Sequence, residues 1–236
     1  MTPFQIYIGF DPREADAFAV ARTSIRRFLT LPISIRGLVL RELIEQGVYD
    51  RPHEIRDGKL WDVISDAPCS TEFSISRFLV PYLAKEGWAL FLDADMMALN
   101  NFCRLMDLVD DTKAVMVVKH NHLPKNKTKM DGQIQTVYFR KNWSSFIMFN
   151  ASHPKCKALT PEVVNTATGL FLHQFQWLDD DDIGELNVEW NWLVGHSDPS
   201  VSPKCVHFTD GIPSMAGYEK GVYSHIWRKM LEEWAI

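Results

Sequence analysis

The sequence has no Cys-x-x-Cys pair. Its four cysteines, Cys69, Cys103, Cys156 and Cys205, lie far apart, which excludes a zinc knuckle or a dense disulfide framework and makes reduced thiols the expectation. A basic excess is also missing: 25 Lys and Arg stand against 30 Asp and Glu, for a net charge of -5. That balance argues against a broad electrostatic grip on nucleic acid. No apolar run approaches the roughly eighteen residues needed to cross a bilayer. Met1–Gly9 lacks the basic start and apolar stretch of a signal peptide, so a cytoplasmic protein without a transmembrane segment is expected. Neither internal repeats nor a low-complexity linker interrupts the chain, and one domain over residues 1–236 is the economical assignment.

What is present is a globular composition, with 46% hydrophobic and 23% charged residues. Gln5–Phe10 is a β-rich run ending at Asp11-Pro12-Arg13. From Glu14 to Phe28, Ala17, Val20, Ala21, Ile25 and Phe28 recur at helical spacing. Ile33–Leu40 reads as a second strand and Ser74–Leu83 as a helix. Trp88–Leu92 is continuously apolar, as a central parallel strand should be, and Lys113–Val118 and Ser144–Asn150 are further strand candidates. Alternation of strands and helices predicts an α/β fold with a mostly parallel sheet. The polar stretch His120–Gln135 reads as a loop over a site.

Asp93 and Asp95 follow directly on the Trp88–Leu92 run. Two residues apart in an extended segment, they point to one side, at the strand end where open α/β sheets bind ligands. Two close carboxylates repel unless a cation or proton is shared, and oxygen donors suit Mn²⁺ or Mg²⁺. The competing reading is that the pair only caps a turn. His207, where a β-like run ends in a Gly/Pro turn, is a third ligand candidate. Asp179–Asp182 reads equally as a solvated acidic turn, and Lys125, Lys127 and Lys129 as an exposed loop face. Trp177, Trp190 and Trp192 suit a core or a sugar platform, and His120 and His122 carry no specific signal.

Together these segments resemble glycosyltransferase family eight and its bacterial and phage relatives, which have the Rossmann-like GT-A fold. Ile6–Asp11 is similar to the family's first, nucleotide-contacting strand, which implies donor contacts at Gly9, Asp11 and Arg13. Ser76-Arg77-Phe78 resembles the helix that sets an arginine beside diphosphate and sugar, and Phe91–Asp95, including Ala94, resembles the metal motif. Asn142–Asn150 is similar to a segment that brings Asn142 and Ser144 to the donor sugar, with Ser where the family has glycine. Asp180-Asp181-Asp182 resembles the stretch that holds sugar hydroxyls, with Asp181 nearest the reacting centre. Glu189-Trp190-Asn191 resembles an acceptor-pocket wall. His207 falls at the family's third metal ligand and Gly211 at its turn glycine, while the lysine and tryptophan that follow in the family are absent; Arg77, Arg13 or Lys129 would substitute.

The resemblance implies a Mn²⁺- or Mg²⁺-dependent, hexosyltransferase-type enzyme that moves a sugar from a nucleotide diphosphate, a UDP-sugar, with retention. The acceptor is a carbohydrate, a lipid-linked glycan or another group, with a modified DNA base not excluded. A cation held by Asp93, Asp95 and His207, aided by Arg77, would stabilise the leaving diphosphate, and Asp181 would serve as electrostatic stabiliser or nucleophile. A nucleotidyltransferase is the first rival, but it requires a glycine-rich loop after the first strand. The second is a nucleotide-sugar-binding module without turnover.

Overall fold

The computed structural model describes residues 4–120 and 140–234. The candidates His122, Lys125, Lys127 and Lys129, and the expected loop beyond His120, lie outside the described residues.

A six-stranded sheet carries the fold, in the spatial order Ile183–Glu185, Val115–Val117, Phe146–Asn150, Trp88–Leu92, Phe4–Phe10 and Ser34–Val39. Five strands run in one direction, and Phe146–Asn150 is antiparallel to both its neighbours. The result is a mixed α/β architecture with a mostly parallel central sheet. Side chains alternate across it, as the pleat demands. Tyr7, Ala89, Phe91, Val115, Ile147 and Phe149 join the core on one face, while Ile6, Ile8, Leu90, Leu92, Met116 and Met148 join the core on the other. Burial on both faces is why Trp88–Leu92 reads as unbroken apolar sequence.

The Ala15–Phe28 helix covers one face through small residues, Ala17, Ala21 and Ser24 among them. Ser24 Oγ donates to the Ala21 carbonyl and accepts the Ala98 N–H at 2.9 Å, fastening the helix to the Met96–Ala98 strand of a smaller sheet. The helix expected over Ser74–Leu83 is instead broken into Phe73–Ser76, a 3₁₀ turn at Arg77–Leu79 and Val80–Ala84. Pro81 has no N–H to give the Arg77 carbonyl, and the Val80 N–H takes that carbonyl in a tighter bond.

Two small sheets complete the architecture. In one, Cys205–His207 pairs antiparallel with Met96–Ala98 and parallel with Trp192–Leu193. In the other, His53–Arg56, Lys59–Asp62 and Ala67–Pro68 form an antiparallel meander. Asp57 and Gly58 turn its first hairpin with φ values of 51° and 75°, the left-handed pair that suits the twist of a two-residue loop. Arg51, fully buried, fastens this meander to the rest of the chain. Its guanidinium grips both oxygens of Asp62 at 2.6 Å, and its Nη1 donates to the Val164 and Ala167 carbonyls.

Candidate functional site

Asp93 follows the last residue of Trp88–Leu92, at the carboxyl edge of the sheet. Ala94 and Asp95 form a turn rather than the extended segment expected, with the Ala94 side chain fully buried in the core. The carboxylates still converge. The pairing of His207 with Met96, and a 2.9 Å bond from the Phe208 N–H to the Asp95 carbonyl, bring His207 beside them. One ligand atom from each of Asp93, Asp95 and His207 lies within 4.8 Å of the other two, and His207 Nε2 is 3.3 Å from Asp95 Oδ1. Two carboxylate oxygens and one imidazole nitrogen are a donor set that suits Mn²⁺ or Mg²⁺, so the residues fit a divalent cation.

Burial opposes charge on His207, but the Asp95 carboxylate beside it, with Asp93 further off, outweighs burial and leaves its pKa raised. His207 Nδ1 lies 2.9 Å from Asn191 Oδ1, and Asn191 Nδ2 donates to Ser145 Oγ at 3.0 Å. Asn191 is completely buried behind the histidine and forms no acceptor wall. Trp190 and Trp192 are core residues as well: Trp190 packs edge-on against Phe102, and the Trp192 indole donates to the Asp198 carbonyl. Trp177 is half-buried against Phe175.

Arg77 lies buried between the Phe73 and Phe91 rings and donates at 2.7 Å both to Asp93 Oδ1 and to the Ser144 carbonyl. Arg13 likewise grips Asp11 through Nε and Nη2 and reaches the Ser70 carbonyl. Burial pushes the Asp11 carboxyl up, yet the Arg13 side chain and the N–H groups of Arg13 and Glu72 hold it below the usual range. Both arginines offered as substitutes for the missing lysine are thus engaged with carboxylates of the chain. Gly9 has a packing reason: a Cβ there would lie 2.5 Å from the Phe73 ring. Asn142 is left-handed with φ 66°, a conformation Asn tolerates, and its carbonyl accepts Ser145 Oγ at 2.7 Å. Ser144 Oγ lies 2.7 Å from His173 Nδ1. Gly211 closes a turn through its N–H to the Phe208 carbonyl.

The acidic run is not brought to this cluster. The Asp182 carbonyl accepts the Ala114 N–H, the Ala114 carbonyl accepts the Asn150 N–H, and Asn150 pairs with Trp88, at the amino end of the strand that leads into Asp93. The rise from Trp88 to Asp93 is about 16 Å along the sheet. Lys155 holds Asp179 and Asp182, Arg140 pairs with Asp180, and Lys113 Nζ donates to the Asp181 carbonyl. Asp180, Asp181 and Asp182 thus lie in an acidic turn at the opposite edge of the sheet, where Lys155 and Arg140 pair the carboxylates of Asp179, Asp180 and Asp182, and not beside the Asp93 cluster where Asp181 was expected.

Sequence reasoning also passed over Glu14, read only as the start of a helix. Burial, then the charges of Asp95, Asp11 and Asp93, push its carboxyl up to about 7. No local motif marks it, because Asp93 and Asp95 reach it from the end of a strand distant in sequence.

The sequence is 44% identical over 238 residues to Protein CDI of Arabidopsis thaliana, with 98% of this chain and 87% of the plant protein covered. The chain belongs to the Protein CDI family. No protein-family model matches it. Among solved structures, the bifunctional glycosyltransferase WbbM superimposes with a TM-score of 0.65 at 14% identity, covering 98% of this chain and 50% of WbbM. The glycosyltransferase GlyE of Streptococcus pneumoniae TIGR4 gives 0.61 at 13% identity, over 98% and 62%. The galactosyltransferase LgtC, solved with donor and acceptor sugar analogues, gives 0.53 at 15% identity, over 97% and 95%. This member of the Protein CDI family thus shares its fold with glycosyltransferases and spans about half the length of WbbM. No helix among the described residues is long and apolar enough to cross a membrane.

Proposed function

We propose that this chain is a metal-dependent glycosyltransferase of hexosyltransferase type, related to family eight, which acts as one domain over residues 1–236 and uses a nucleotide diphosphate sugar, a UDP-sugar, as donor. One observation carries the reading: Asp93, Asp95 and His207 converge within 4.8 Å at the carboxyl edge of a sheet whose fold is shared with glycosyltransferases. Asp93, Asp95 and His207 would hold Mn²⁺ or Mg²⁺, which supplies positive charge where the leaving diphosphate becomes negative. Arg77 orients Asp93 and lessens the repulsion between the two aspartates. Gly9, Asp11, Arg13, Asn142, Ser144 and Gly211 shape the surrounding backbone, so donor contacts there would come from main-chain groups and from the Asn142 amide. The proposal includes a cytoplasmic location, transfer with retention, and a carbohydrate or lipid-linked acceptor.

Calorimetry with Mn²⁺ and UDP tests the cation site. Asp93→Asn and Asp95→Asn each remove one charged ligand, and each should abolish metal-dependent UDP binding while the protein still unfolds cooperatively. Native UDP affinity in both variants would refute it. A second reading, binding without turnover, is favoured by the acidic run standing away from the cluster. Hydrolysis of the donor in the absence of acceptor decides between the two.

A further inference from the structure

We infer that Asn191 is a positioning residue that holds the His207 imidazole in its Nδ1–H tautomer, so that Nε2 faces Asp95 as a lone pair ready for a cation. The inference rests on the proposed cation site for its purpose but not for its geometry. A main-chain carbonyl can only accept. The Asn142 carbonyl takes the hydroxyl hydrogen of Ser145 at 2.7 Å, so Ser145 Oγ has no hydrogen left to give and must accept from Asn191 at 3.0 Å. The atom of Asn191 that faces Ser145 is therefore its amide nitrogen, and the oxygen faces His207 at 2.9 Å. An amide oxygen cannot donate, so the proton lies on Nδ1.

Each member of this chain is locked. Asn191 is completely buried and His207 and Ser145 are nearly so, which shields the relay from solvent. Ser145 also accepts the Asp93 N–H on its carbonyl at 2.9 Å, so one residue anchors the relay to His207 and the backbone of the first aspartate. Groups that fix a ligand histidine through its other nitrogen usually change metal affinity by about 10–100-fold when lost.

The test uses the full chain in two measurements. Long-range ¹H–¹⁵N correlation on cation-free protein, at a pH where the ring is neutral, reads the tautomer; Mn²⁺ titration by electron paramagnetic resonance reads affinity. Native protein should show protonated Nδ1. Asn191→Leu should shift the ring toward Nε2–H and weaken Mn²⁺ about 10–100-fold. Asn191→Asp, which still accepts from Nδ1, should keep both properties. Ser145→Ala, a gentler change, should weaken Mn²⁺ by a smaller factor and serves if Asn191→Leu does not fold. An Nε2–H ring in native protein overturns the inference. So does an unchanged tautomer and Mn²⁺ affinity in a folded Asn191→Leu or Ser145→Ala. A native Nδ1–H ring that shifts as expected, in a protein that binds no Mn²⁺, upholds the positioning role and defeats the cation-site reading instead.

Discussion

Arg77 Nη1 stands 2.7 Å from Asp93 Oδ1 and 2.7 Å from the Ser144 carbonyl oxygen, so one nitrogen joins the carboxylate to the turn before the Phe146–Asn150 strand. Arg77→Met should lower unfolding free energy by about 3 kcal/mol, because it removes the charged donor that Arg77 gives to a largely desolvated carboxylate and to a buried carbonyl. Urea denaturation measures the loss. A cation can replace the guanidinium as partner of Asp93, so saturating Mn²⁺ should raise the melting temperature more in Arg77→Met than in native protein. An equal rise in both would show that Arg77 and the cation do not share Asp93.

Asp181→Ala should leave donor turnover within about twofold of native, since its side chain is exposed and far along the sheet from Asp93. Asp93→Asn, assayed beside it, should lose activity by a hundredfold or more, on the order of 3 kcal/mol. A large loss in Asp181→Ala without loss of thermal stability would restore the acidic run to the chemistry.

Glu14 makes stability depend on pH. Its carboxyl titrates at about 7 in the folded chain against an ordinary value of 4.5, so between those pH values the native state holds a proton that the unfolded state has released. Stability then falls as pH rises through that window. Glu14→Gln removes this component, and the variant should gain on the order of 3 kcal/mol over native protein at pH 8 while nearly matching it at pH 4.5 and below. Denaturation midpoints at the two pH values give the comparison; a constant difference between the proteins would exclude the shift.

Gly9→Ala sets a methyl group 2.5 Å from the Phe73 ring, which itself packs against the Arg77 guanidinium. Overpacking of this kind costs about 1–3 kcal/mol. Thermal unfolding should register that loss, with a further drop in Mn²⁺-dependent UDP affinity as Arg77 is displaced. Native stability in Gly9→Ala would mean that the ring moves freely.

The central strands were legible because burial on both faces leaves an unbroken apolar record, and the Asp93 and Asp95 pair because it follows such a strand. His207 was legible only as a candidate: its meeting with Asp95 depends on the pairing of Cys205–His207 with Met96–Ala98, which no local pattern encodes. The acidic run misled because sequence shows four neighbouring charges but not Lys155 and Arg140, which pair with Asp179, Asp180 and Asp182. Asn191 was misplaced for the converse reason, since its buried role is visible only once His207 and Ser145 stand on either side of it. The hairpin at Asp57-Gly58 was readable from that dipeptide and went unread, and Pro81 likewise announced the break in the helix that carries Arg77.

Arg51 gives the three-stranded meander a particular mechanical character. To lift that arm away, the chain would have to expose a fully desolvated guanidinium and separate it either from Asp62 on the arm or from the Val164 and Ala167 carbonyls beneath it. Such a motion approaches global unfolding in cost, so backbone amides of Lys59–Asp62 should exchange with deuterium on the slow timescale of the central sheet rather than that of a surface hairpin. The arm is a fixed buttress, an outgrowth of the fold that keeps the rigidity of its core.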